Sequence, residues 1–235
     1  MEEIDPSALG NVRVLAVGAH PDDAEFYAGG TLARFADAGA HVALVVCTGG
    51  GRGGRGISDP VSVRDAEQTR AAARIPFHER ENLGRSDGEL VNDDALRAGI
   101  VRAIRRVKPD LVVAHDPRLV FAPVRDRFRL SHSDHRAAGQ AALDAIYPRA
   151  PLATFFPEQL AEPGLAPWFP REVWLMDTAE PSARVDVAKT LERKLDALRE
   201  HASQNGGDSL VRAARAVGPV EEFVRLVLRN SEWRG

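Results

Sequence analysis

Cysteine is nearly absent from this chain. Cys47 stands alone among 235 residues, so no internal disulfide can staple the fold, and its place in the apolar run 42–48 marks it as a small buried hydrophobe. A reducing, cytoplasmic setting is the expectation. Long apolar runs are also missing. Nowhere do about 18 apolar residues stand together as a membrane helix needs, and the opening MEEIDPSALG is acidic, without the apolar segment of a secretory signal. Nor does one sign of charge dominate. With 31 basic and 34 acidic residues interspersed, for a formal net charge of -3, the chain offers no basic stripe for nucleic acid or an anionic membrane. A small-molecule partner is expected instead, and a homo-oligomer is compatible with the sequence.

Apolar residues make up 44% of the chain, enough core for one large domain over residues 1–235. The organising stretch is VRVLAVGAHPDDAEF, residues 12–26. Its β-branched run 12–17 reads as a buried parallel strand that stops at His20-Pro21-Asp22-Asp23. In open α/β sheets ligands bind at the carboxyl ends of strands, so these polar side chains point at the expected cleft. Imidazole and carboxylate are ordinary zinc ligands, and Pro21 keeps His20 out of the helical region and stiffens the loop. Adjacent acids diverge in an extended segment, so one can ligate while the other serves as a base. A plain strand-to-helix turn with an Asp cap ahead of Gly29-Gly30-Thr31 is the bland alternative.

Further along, 31–38 reads as a helix closed by Gly39, and 41–48 as a second buried strand, which together fix a right-handed βαβ unit. The loop TGGGRGGRG, residues 48–56, contains a literal G-x-G-x-x-G at Gly49, Gly51 and Gly54. Ile57-Ser58-Asp59-Pro60 prolongs the loop where a dinucleotide fingerprint needs a helix, and no Lys-Ser or Lys-Thr follows to make a P-loop. It is read as a glycine-rich lip of the cleft, with Arg52 or Arg55 reaching a polar substrate. Ser62 is expected to cap a helix to about Arg74, with Arg64 and Glu67 as surface charges, and Asn92 to cap a helix over 93–107. Asp87-Gly88 is a turn at a strand end. A strand over 110–114 ends in His115-Asp116, and 117–130 reads as loop. Strands are expected at 173–176 and 185–187, with a helix over 188–201 burying Leu191. His201 to Gln204 ends that helix as a cap or faces the cleft, and 220–228 is ambiguous between strand and helix.

A second polar cluster, Ser131-His132-Ser133-Asp134-His135-Arg136, opens another helix, and its histidines three apart share a face. Two such clusters at two strand ends of one sheet supply three metal ligands, a free carboxylate and a spare imidazole. Asp134 is expected to orient one of the histidines. Arg52, Asp87 and His115 place donors and acceptors on several sides of one cleft, which suits a ligand covered in hydroxyl groups.

Together, AHPDD after an N-terminal strand, the loop TGGGRG, Asn82-Leu83-Gly84 with Asp87-Gly88, and His132-Ser133-Asp134-His135-Arg136 resemble the PIG-L/LmbE-like zinc deacetylases over nearly the whole chain. The resemblance implies an α/β fold with a Rossmann-like, mostly parallel sheet flanked by helices, and removal of the acetyl group from N-acetylglucosamine-type compounds. It also implies zinc on His20, Asp23 and His135, Asp22 as general base, and His132 as the oxyanion or leaving-group partner. The sequence departs from the common pattern at Ala24, where glutamate is usual, and at Ser133, where proline is usual. The alternatives weighed are an amidase for a non-acetyl amide such as a thiol-sugar conjugate, a non-catalytic metal- or carbohydrate-binding module, and a nucleotide-dependent oxidoreductase that would rest on the glycine loop alone.

Overall fold

The computed structural model describes residues 1–53, 56–124, 127–204 and 208–228. From the N-terminus, β1 (Glu2–Glu3) leads to β2 (Arg13–Gly18), α1 (Asp23–Asp37), β3 (His41–Thr48), α2 (Pro60–Ala72), β4 (Glu79–Arg85) and α3 (Asp94–Val107). Then follow β5 (Leu111–His115), β6 (Phe121–Val124), β7 (Arg127–Leu130), α4 (Ser133–Asp144), β8 (Glu172–Met176), β9 (Ala183–Asp186), α5 (Leu191–Glu200), α6 (Asp208–Val217) and β10 (Val220–Val227). Eight strands form one sheet in the order β1-β9-β10-β8-β5-β2-β3-β4. Within this sheet, among the described residues, only β10 runs antiparallel to its neighbours, β8 and β9; the sheet's other pairings are parallel.

The sheet is buried on both faces, and its central strands are apolar along their middles, 14–17 in β2, 42–47 in β3 and 111–114 in β5. Side chains alternate across a strand, so Leu15 and Val17 pack with Ile100 and Ile104 of α3 and Ala138 and Ala141 of α4. Val14 and Ala16 pack on the other face with Leu32 and Phe35 of α1 and Ala197 of α5. The chain moves from β2 to β3 and β4 in one direction, then returns to place β5 and β8 on the other side of β2. The order therefore reverses beside the carboxyl end of β2, where His20 to Asp23 stand, and such a reversal opens a crevice. No helix among the described residues is long and apolar enough to cross a membrane.

Several elements differ from the sequence expectation. Helix α1 begins at Asp23 rather than near Thr31, so Gly29 and Gly30 lie inside it. Close neighbours leave no room for side chains there: a Cβ on Gly30 would lie 2.5 Å from Cβ of Val187, which follows β9, and one on Gly29 would lie 3.2 Å from Lys194 of α5. Asp59, not Ser62, caps α2, its carboxylate accepting from Ser62 N at 3.1 Å, and Asp93, not Asn92, caps α3 by accepting from Leu96 N at 2.8 Å. In both cases an aspartate carboxylate takes an orphan amide, three residues before Ser62 in α2 and one residue after Asn92 in α3. Residues 117–130 contain the hairpin β6-β7, and 220–228 resolve as strand because β10 finds two sheet partners, a contact local periodicity cannot report. Helix α5 starts at Leu191, which is half-buried, and α6 had no sequence expectation. Cys47 is buried with a free thiol, as its apolar run implied.

Candidate metal centre and cleft

The tight turn out of β2 is built by Asp23. Its Oδ2 accepts from Ala19 N at 2.9 Å and His20 N at 2.8 Å, so the first helical residue folds back on the loop that precedes it. His115 Nε2 lies 3.0 Å from the same oxygen. With Oδ2 occupied, Oδ1 is turned toward His135 Nε2, 3.2 Å away. His20 Nε2 stands 3.1 Å from Asp87 Oδ1 and 3.2 Å from Asp134 Oδ2, while its Nδ1 faces Asp23 at 3.6 Å. Donor atoms of His20, Asp23 and His135 lie within 4.8 Å of one another. Two further groupings, His20 with Asp87 and His132, and His115 with His135 and Asp177, each share a histidine with it.

The electrostatics of this knot favour a cation. Burial alone would lower the pKa of His20, but the carboxylates of Asp134, Asp23 and Asp87 outweigh it and raise it to about 12. His135 is likewise raised to about 9 by Asp23 and Asp177 against burial. Burial opposes charge on Asp23, yet His135 and His115 hold its carboxyl well below the usual range. A field that draws protons to imidazoles wedged between carboxylates draws a divalent cation to the same point, and the nitrogen and oxygen donors suit one. The three residues therefore fit a metal.

Asp22 has a different environment. Its backbone sits at φ 94°, a region that non-glycine residues rarely adopt. Its own N–H donates to Gln68 Oε1 at 3.3 Å, and Arg64 Nη2 donates to Pro21 O at 2.5 Å and to Asp22 Oδ2 at 3.2 Å. Arg64 Nη1 donates to Gly50 O at 3.2 Å, tying the glycine lip to the same group. Burial outweighs the Arg64 charge and pushes the Asp22 carboxyl up to about 7. Arg64 and Glu67, expected at the surface, are both buried, because α2 packs its polar face over the loop that leaves β2 and over 203–204. Glu67 accepts from Ser203 N and Oγ at 2.7 and 2.6 Å.

His132 is the N-cap of α4. Its Nδ1 accepts from Asp134 N at 3.1 Å, which leaves Nε2 to carry the proton of a neutral ring. Burial and the neighbouring His20 keep its pKa below the ordinary value. Asp134 is buried, and besides its approach to His20 it accepts from Gly88 N at 2.7 Å and Leu90 N at 3.3 Å. It thereby pins the Asp87-Gly88 turn to the start of α4.

The cleft in front of this knot encloses about 930 Å³ and is lined by His20, Asp22, Asp23, His132 and His135, with Arg52, Arg64 and Asp87 on its polar side. Asp87 Oδ2 accepts from Arg52 N at 2.9 Å, and the Arg52 side chain pairs with Glu89. Arg55 lies outside the described residues. His115 was expected at the rim and does not lie there: it is fully buried behind Asp23, stacked on His135 at 4.1 Å between ring centroids. The end of its strand is buried, so its ring meets Asp23 and not the cleft, and Asp116 is held by Arg118 and Thr178. His201 does not face the cleft; it ends α5 with its ring buried 3.9 Å from Glu25 Oε2, while Gln204 does line the cleft. Sequence reasoning missed Arg64, Tyr27 and Asp177. Asp177 follows the last residue of β8 and accepts from Arg129 at 2.6 Å while Oδ2 stands 3.5 Å from His135 Nδ1. The strand-end rule applied to β8 would have found it.

Residues 15–146 match the family described as PIG-L, GlcNAc-PI de-N-acetylase. The chain is 31% identical over 196 residues to a diacetylchitobiose deacetylase of Thermococcus kodakarensis, covering 82% of this chain and 70% of that one. It is 28% identical over 253 residues to a 1D-myo-inositol 2-acetamido-2-deoxy-alpha-D-glucopyranoside deacetylase of Thermobifida fusca, covering 82% and 83%. Among solved structures, an N,N'-diacetylchitobiose deacetylase from Pyrococcus horikoshii superposes with a TM-score of 0.80 at 26% identity, covering 95% of this chain and 86% of that one.

Proposed function

Because the chain belongs to the PIG-L (GlcNAc-PI de-N-acetylase) family, we propose that it hydrolyses the acetamide of an N-acetylglucosamine-type sugar or sugar conjugate, with zinc as its metal. The observation that carries this reading is Asp22. A binding module needs the three ligands, but it does not need a second carboxylate held at φ 94° by Arg64 and Gln68 beside them. His20, Asp23 and His135 would hold the metal. When bound, it supplies Lewis acidity, polarising the amide carbonyl and acidifying water.

The chain's own residues supply the rest. Asp22 takes a proton from the attacking water, a task that a carboxylate held up near 7 performs better than one at an ordinary value. Neutral His132 donates from Nε2 to the oxygen on which negative charge develops, or to the departing amine. Asp134 and His115 hold His20 and Asp23 from behind, as second carboxylates and imidazoles do around metal ligands. Asp87 and Arg52 face the substrate hydroxyl groups.

Purified protein offered N-acetylglucosamine, diacetylchitobiose and an N-acetylglucosaminide should release free amine and acetate in equal amounts. Asp87→Ala should raise KM for the glycoside more than for a small non-sugar acetamide, the loss common to both substrates reading the Asp87 contact with His20. Absence of amine release from every acetylated sugar, alongside turnover of another amide, would overturn the sugar assignment.

A further inference from the structure

The cleft is larger than an acetylated hexosamine requires, and its walls are unlike one another. At about 930 Å³ it lies at the upper end of the roughly 300–1,000 Å³ that drug-sized ligands occupy. His20 borders the polar wall through Asp87, to which Arg52 is bonded. His135 borders the other: Tyr27 meets it edge-on at 5.9 Å, and Phe26 meets Tyr27 edge-on at 4.9 Å. Beyond Phe26 the wall is apolar and belongs to α6, where Leu210, Ala213, Ala214 and Val217 line the same cavity. Spaced i, i+3, i+4, i+7, these four form one helical face, and from Leu210 to Val217 it runs about 10 Å. Two charge pairs along this arm are spent on each other, Lys194 Nζ with Glu221 Oε1 at 2.6 Å and Arg129 with Asp177 at 2.6 Å, and exposed Glu222 also lines the cavity. Val217 is 68% exposed, so the arm is open at its far end.

An amide has two sides. With a polyhydroxylated amine on the Asp87 and Arg52 wall and the carbonyl at the metal ligands, the acyl substituent extends past His135 toward Phe26 and α6. We propose that this arm takes an acyl chain longer than acetyl, so that the preferred substrate is an N-acyl amino sugar with a linear aliphatic chain of several carbons. This rests on the amide-hydrolase reading above. A methyl group leaves the arm to water, whereas each further methylene buried against it favours the longer substrate.

The test is amine release from N-acetyl-, N-butyryl-, N-hexanoyl- and N-octanoylglucosamine, with the octyl glycoside of N-acetylglucosamine as a control for an apolar group on the sugar side. The expected result is a kcat/KM that rises about threefold to fourfold per methylene up to hexanoyl. Val217→Asp, at an exposed position that folding tolerates, should collapse the hexanoyl-to-acetyl ratio. Acetyl turnover with a flat or falling ratio overturns the acyl arm and leaves the deacetylase reading standing. A gain confined to the octyl glycoside, or a hexanoyl gain that Val217→Asp does not reduce, overturns it too. Loss of amine release from all these substrates would sink both readings together.

Discussion

Asp22 holds a backbone conformation that costs on the order of 1–3 kcal/mol in a non-glycine residue, and it is held there by its own N–H donating to Gln68 and by Arg64 donating to its carboxylate and to the preceding Pro21 carbonyl. With Asp22 as the proposed base, Asp22→Asn keeps the shape and removes the proton acceptor. It should retain bound metal and lose roughly 10²–10⁴ in turnover, read by elemental analysis beside amine release. Loss of metal would exchange the roles of Asp22 and Asp23. His201 supports a second expectation. Burial, then the charges of Arg64 and Arg70, push its pKa down to about 3, with Asp23 opposing and Glu25 nearby. The unfolded chain binds a proton at His201 below about 6.5 that the folded chain refuses. Its contribution is therefore intact above that pH and erodes as pH falls toward 3, at up to about 1.4 kcal/mol per pH unit. Urea titrations should show a shallower acid decline in His201→Gln than in the parent, and parallel curves would refute a neutral buried ring.

At the scale of elements, α1 joins the His20–Asp23 turn to the far side of the sheet. Its Gly30 and Thr31 amides donate to the two oxygens of Glu221 on β10 at 2.9 and 2.8 Å, and Lys194 of α5 completes the group. Gly30 is glycine because Val187 fills the place of its side chain. Gly30→Ala should destabilise by about 1–3 kcal/mol, the usual cost of overpacking. Val187→Ala should recover part of that loss in a double-mutant cycle. Additive effects in denaturant titration would mean the two positions do not clash.

For the whole molecule, the metal is expected to be a folding ligand as well as a catalytic one. Three carboxylates and two imidazoles crowd the mouth of the sheet, and a cation that binds only the folded chain adds about 2.7 kcal/mol at a hundred times its dissociation constant. Chelation should lower Tm by about 5–10 °C, and zinc should restore it. The same shift in a His20→Ala, His135→Ala double variant would place the stabilising metal elsewhere.

The sequence by itself determined the central strands, since unbroken apolar runs at β2, β3 and β5 have no use except between two helical layers. It determined the two polar clusters as well, because histidine, proline and paired acids directly after a buried strand have few other uses. Tertiary structure decided what those clusters touch. Arg64 and Glu67 read as surface charges from their own helix, and only the packing of α2 over the loop buries them. His115 looked like a rim residue from its place at the end of β5, but the depth of the strand end puts it behind Asp23. Asp177, Tyr27 and the apolar face of α6 reach the cleft through contacts 42 to nearly 200 residues apart in the chain, and local periodicity carries no information about such pairings.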